Sequence, residues 1–68
     1  YFVEANFTLP EAVDGQEVTV INKDNGSISI LGSLGADNIA LTGLNSTVTL
    51  RCFNNVWYVI SSHNTNIV

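Results

Sequence analysis

The sequence predicts an all-β fold, from three observations: apolar residues alternate with period two, turn-forming residues separate the alternating runs, and no segment carries a capped apolar stripe at helical spacing. Taken in order, Tyr1-Phe2-Val3-Glu4 gives a short first strand over 1–4. A second over 6–9 stops at Pro10, which lacks the N–H that strand pairing requires. In 17–23, Val18 and Val20 share one face, with Thr19 and Ile21 opposite; Ile28 and Ile30 alternate with Ser27 and Ser29 in 27–31. Ile39 and Leu41 alternate with Asn38, Ala40 and Thr42 in 38–42, and Val48, Leu50 and Cys52 with Thr47, Thr49 and Arg51 in 47–53. The last strand is predicted over 56–61.

The turns follow from residues that tolerate positive φ. Asp24-Asn25-Gly26 predicts a tight hairpin joining 17–23 to 27–31, and Asn54-Asn55 a second joining 47–53 to 56–61. Asp14-Gly15 and the stretch from Gly32 to Gly35 predict longer turns. Short neighbouring strands with tight turns imply a small, largely antiparallel meander, folded into a β-sandwich or β-prism-like unit.

Val56-Trp57-Tyr58-Val59-Ile60 breaks the alternation, being apolar on both faces. Two readings stay open. Either this strand is central in a two-layer sandwich, or its second face packs against other copies of the chain. Tyr1-Phe2-Val3, Ile21, Leu31 and Leu34 add apolar surface that a small core absorbs poorly, and exposed patches of that size mark interaction sites. Trp57, Tyr58, Val59 and Ile60, with Val48 and Leu50, are therefore the candidate oligomer-interface or core residues.

Size sharpens this. A single 68-residue domain hides only about 60% of the surface its unfolded chain exposes, so a small domain needs a disulfide, a metal or a partner. Cys52 is the one cysteine, which excludes an internal disulfide, and Cys52 with His63 falls short of a tetrahedral zinc set. Partner subunits remain. Charged residues make up 12% of the chain, about half the usual ~25%, and Asn, Ser, Thr and Gly do the solvating, a habit of extracellular and virion-exposed β proteins. Six carboxylates against Lys23 and Arg51 give a net charge of −4, too few cations for nucleic acid or an anionic membrane surface. No stretch has the apolar length of a membrane-spanning helix, and a start at Tyr1 rather than Met predicts a fragment of a longer protein.

Candidate chemistry is sparse. His63 stands alone in Ser62-His63-Asn64-Thr65 and reads as a solvated tail residue rather than a metal ligand. Cys52, on the inward face with Val48 and Leu50, reads as a small buried hydrophobe. Glu4, Glu11, Asp14, Glu17, Asp24 and Asp37 are scattered through turns and outer faces, without the paired carboxylates across a cleft that glycoside hydrolysis needs. Asp24-Asn25-Gly26 lacks the further ligands of a calcium loop. No catalytic, cofactor-binding or metal residue is expected. Trp57 and Tyr58 are the candidates for stacking on a sugar ring, weighed against packing in a core or interface. Asn6-Phe7-Thr8, Asn25-Gly26-Ser27 and Asn45-Ser46-Thr47 match the glycosylation pattern, as chance matches do in so Asn- and Thr-rich a chain.

The motifs in sequence resemble a module of fibre and spike proteins from phages and large viruses. The likeness runs through Asn6-Phe7-Thr8-Leu9-Pro10, the run from Gly15-Gln16 to Asn22-Lys23, Ser27-Ile28-Ser29-Ile30, Asn38-Ile39, Leu44 and Val48-Thr49-Leu50. It closes on Asn54-Asn55-Val56-Trp57-Tyr58-Val59-Ile60. The resemblance implies a short β module, a homotrimer about a fibre axis, beside a shaft end or a receptor-binding or sugar-cleaving domain, with no catalytic residues. The expected function is a trimerisation or head domain of a virion fibre, spike or capsid-associated protein, at the virion surface or outside the cell, contributing to host attachment. The rest of the fibre or capsid protein and a host glycan are the expected partners. A monomeric carbohydrate-binding module and a cleavable C-terminal folding-assistance domain are the alternatives.

Overall fold

The computed structural model describes residues 1–32 and 38–67. Within them the chain is all-β, with strands β1 (Phe2–Val3), β2 (Phe7–Thr8), β3 (Glu17–Asn22), β4 (Ile28–Leu31), β5 (Ile39–Leu41), β6 (Thr47–Phe53), β7 (Val56–His63) and β8 (Thr65–Ile67). The alternation is realised residue by residue. Val18, Val20, Ile28, Ile30, Ile39, Leu41, Val48, Leu50 and Cys52 all point into one apolar core, and their alternate neighbours lie nearer the solvent. Leu34, Gly35 and Asp37 lie outside the described residues, as does most of the predicted turn from Gly32 to Gly35.

The topology differs from a meander. One sheet has the order β1-β3-β6-β7 and the other β2-β4-β5-β8. Both are mixed, because β1 pairs parallel to β3 and β2 parallel to β4. The chain passes between the sheets from β1 to β2, β2 to β3, β3 to β4, β5 to β6 and β7 to β8, and both sheets feed the same core cluster.

The predicted hairpin at Asp24-Asn25-Gly26 does not form: the turn crosses from the first sheet to the second, so β3 and β4 do not pair. A two-residue type I′ hairpin needs positive φ at both central residues, and neither Asn25 nor Gly26 adopts it. The turn is shaped by side chains instead. The Gly26 N–H donates to Asp24 Oδ2 at 2.9 Å, and the Asp24 N–H donates to Asn22 Oδ1 at 2.7 Å. Asn54-Asn55 does form the expected tight turn, with φ of 54° and 64°, and joins β6 to β7 as a true hairpin.

Asn22 is the polar pin of the structure. It continues the inward series of Val18 and Val20 and is fully buried. Its Nδ2 donates to the Gly26 carbonyl at 2.8 Å and to the Leu41 carbonyl at 3.2 Å. Its backbone N–H donates to the Ser46 carbonyl, and its own carbonyl accepts from the Asn45 N–H. The side chain therefore ties the end of β3 to a strand of the other sheet and to the β3–β4 crossing, and the backbone ties it to the β5–β6 crossing.

The end of the chain is more ordered than expected. β7 runs on to His63, Asn64 turns with φ of 50°, and β8 then adds to the edge of the second sheet. The Thr42 hydroxyl and N–H both donate to the Asn64 carbonyl, fixing this last crossing.

Candidate functional site

The predicted interface-or-core residues divide sharply. Trp57, Val48 and Leu50 belong to the core, Val59 is half-buried against it, and Tyr58 and Ile60 are exposed. The division follows from register. Trp57 pairs with Cys52 and Val59 with Leu50 on the inward face, whereas Tyr58 pairs with Arg51 on the outward face. The register then shifts, so Leu50 opposes Val59 and Thr49 opposes Ser61, leaving Ile60 as the extra residue of a β-bulge.

Two sequence readings are corrected here. β7 is an edge strand of its sheet rather than a central one, so its outer backbone edge has no partner strand among the described residues. Trp57 is only 1% exposed, because its inward position places the indole in the core cluster. It offers no ring face to a sugar, and of the suggested pair only Tyr58 reaches solvent.

Acidic side chains that sequence reading left scattered hold turns and strands. Asp14 Oδ1 accepts from the Asn55 N–H at 3.1 Å, while the Gly15 N–H donates to the Cys52 carbonyl at 3.0 Å. The Asp14-Gly15 turn, with φ of 84° at Gly15, thereby clasps the β6–β7 hairpin. Glu17 pairs with Arg51 at 3.0 Å across β3 and β6. Such an exposed pair contributes about 0–1 kcal/mol. The Cys52 thiol is buried, 4.0 Å from Asp14 Oδ1. His63 is exposed and closes β7, opposite Thr47, rather than lying in a tail. Asn6 and Asn45 use their side-chain oxygens internally, accepting from the Ser29 N–H and from Lys23 Nζ.

Two features were missed, though the sequence signals both. Asn22 occupies an inward position of the Val18–Val20 series, and a polar residue there must find buried partners. Phe53 occupies an outward position of the Thr47–Thr49–Arg51 series, so its ring is exposed. Among the described residues there is no group of His, Cys, Asp and Glu arranged to hold a metal ion, and no cavity is found. The exposed large hydrophobic side chains among the described residues are Tyr1, Phe2, Val13, Leu31, Leu44, Phe53, Tyr58, Ile60 and Ile67. Comparison with protein families, with curated proteins and with solved structures finds no match for this chain.

Proposed function

We propose that this chain is a self-associating, non-catalytic structural module, a trimerisation or head domain of a virion fibre or spike. One observation carries the association: large apolar side chains stay outside a core that is already closed. Leu9, Trp57 and the inward residues of β3 to β6 fill that core, yet Phe2, Phe53, Tyr58 and Ile60 remain in water. Fully burying a side chain of this kind contributes roughly 1.5–3 kcal/mol, a large increment for a domain with one cysteine and no internal disulfide.

The threefold symmetry and the virion setting rest on the resemblance of the Thr8-Leu9-Pro10, Gly15-Gln16 and Trp57-Tyr58 motifs to fibre and spike modules. In this reading the two sheets are the layers of a sandwich, repeated about the fibre axis at the virion surface or outside the cell. Contact with a host glycan is a second role, and it falls to Tyr58, the exposed aromatic of the original pair.

Folding coupled to association makes the melting temperature depend on chain concentration. Over about a hundredfold range of concentration, Tm is expected to rise by roughly 5–10 °C. A Tm that stays constant over that range contradicts the proposal.

A further inference from the structure

We infer that copies of this chain meet through the outer face of the β1-β3-β6-β7 sheet, while the outer face of the β2-β4-β5-β8 sheet stays in water. The inference rests on the self-association proposed above and specifies its surface. The two outer faces differ in chemistry. On the second sheet, Ser29, Ala40 and Asn66 form one small, mostly polar cross-strand row; the sheet's exposed large apolar residues are Leu31 at 49%, beside Thr8, and Ile67 at 40%, and none is aromatic. On the first sheet, Phe2 is 74% exposed, Phe53 70%, Ile60 53% and Tyr58 45%. The aromatic residues flank a centre in which Thr19 and Thr49 share a hydrogen bond of 3.1 Å.

Charge selects a second copy as the occupant. The chain carries −4 overall, so copies repel over most of their surface. Both of its cations belong to the first sheet's outer side: Arg51 lies in the cross-strand row Glu17–Arg51–Tyr58, and Lys23 Nζ sits 5.9 Å from the Phe2 ring centroid. Glu17 is the one acidic residue among the strands of the described residues, the other described carboxylates lying in connections. Within the strands of the first sheet Glu17 and Arg51 cancel, so like-charged copies meet less opposition there than at the acidic connections. The one acidic group of those strands stands directly beside a cation, at 3.0 Å. Adjacent opposite charges are self-complementary about a symmetry axis, since Arg51 of each copy meets Glu17 of the next. Aromatic residues and Arg are also the types enriched at protein interfaces.

The test is sedimentation equilibrium on the unaltered chain and on Phe53→Asp, Tyr58→Asp and Asn66→Asp, with Trp57 emission reporting that each variant is folded. The first two are expected to raise the concentration for half-dissociation by about thirtyfold or more, and Asn66→Asp to leave it unchanged. Arg51→Glu is expected to dissociate the assembly, and the double variant Glu17→Arg/Arg51→Glu to restore it. If the unaltered chain associates but Asn66→Asp alone dissociates it, or the double variant stays dissociated, this surface is wrong while self-association stands. If the unaltered chain is itself a monomer, self-association fails first.

Discussion

Trp57→Ala is expected to destabilise the chain by about 3–5 kcal/mol, the range for truncating a buried aromatic side chain. A domain of 68 residues holds roughly 3–10 kcal/mol in total, so the variant sits near or beyond the unfolding threshold. Trp57 is the largest of the fully buried side chains, paired with Cys52 at the hairpin end of the first sheet. Its removal leaves a void in the core, which a close-packed interior closes only in part. Trp57→Phe retains much of the contact and loses less. The same residue supplies the readout, since it is the one tryptophan. Its emission shifts to the red on denaturation, and chemical melts of the two variants give the cost. A Trp57→Ala variant with unaltered stability contradicts its place in the core.

Asn22 is expected to be nearly as sensitive, for a different reason. Asn22→Leu removes the partners of the Gly26 carbonyl, the Leu41 carbonyl and the Asp24 N–H together. Leaving a buried polar group unsatisfied costs about 1–3 kcal/mol. The Leu41 carbonyl bears that cost in full, while the partly buried groups at Gly26 and Asp24 are rescued by water, so the sum is on the order of 2–4 kcal/mol. Asn22→Asp has the same shape but replaces both donated bonds with oxygen facing oxygen. It is therefore expected to be strongly destabilised at neutral pH even though its packing is unchanged. Stability of either variant within about 0.5 kcal/mol of the parent, the scale of an ordinary surface substitution, contradicts the role of Asn22 as the tie between sheets.

These two residues mark what the sequence makes legible. Strands β3 to β6 are readable because period-two alternation reports which face is buried, as in Val48, Leu50 and Cys52; β7 is readable from its apolar run and the Asn54-Asn55 turn before it. β8 is three residues of edge strand, Thr65-Asn66-Ile67, with no alternation long enough to announce it. The pairing was less legible than the strands. Asn25-Gly26 carries a hairpin signal in its composition, but the buried Asn22 side chain supplies the turn's hydrogen bonds and lets the chain cross between sheets. Composition names residues that tolerate a turn; long-range contacts decide which sheet the next strand joins.

The surface was half legible. The two-faced apolar run of β7 pointed to unusual packing: Trp57 and Val59 face the core, while Tyr58 and Ile60 stand on the side of the sheet away from it. A long apolar edge strand is normally blunted by charge, proline or a bulge. From Val56 to Ser62 there is no charge and no proline, and the bulge at Ile60 is the one such device present. That economy suits a strand whose surroundings are covered by another subunit.

Self-association is the central claim, and the mass of the chain in solution tests it most directly. Sedimentation equilibrium at micromolar concentration is expected to give three times the 7.3 kDa of one chain, with dissociation on dilution. A mass of 7.3 kDa that persists to the highest concentration measured contradicts it.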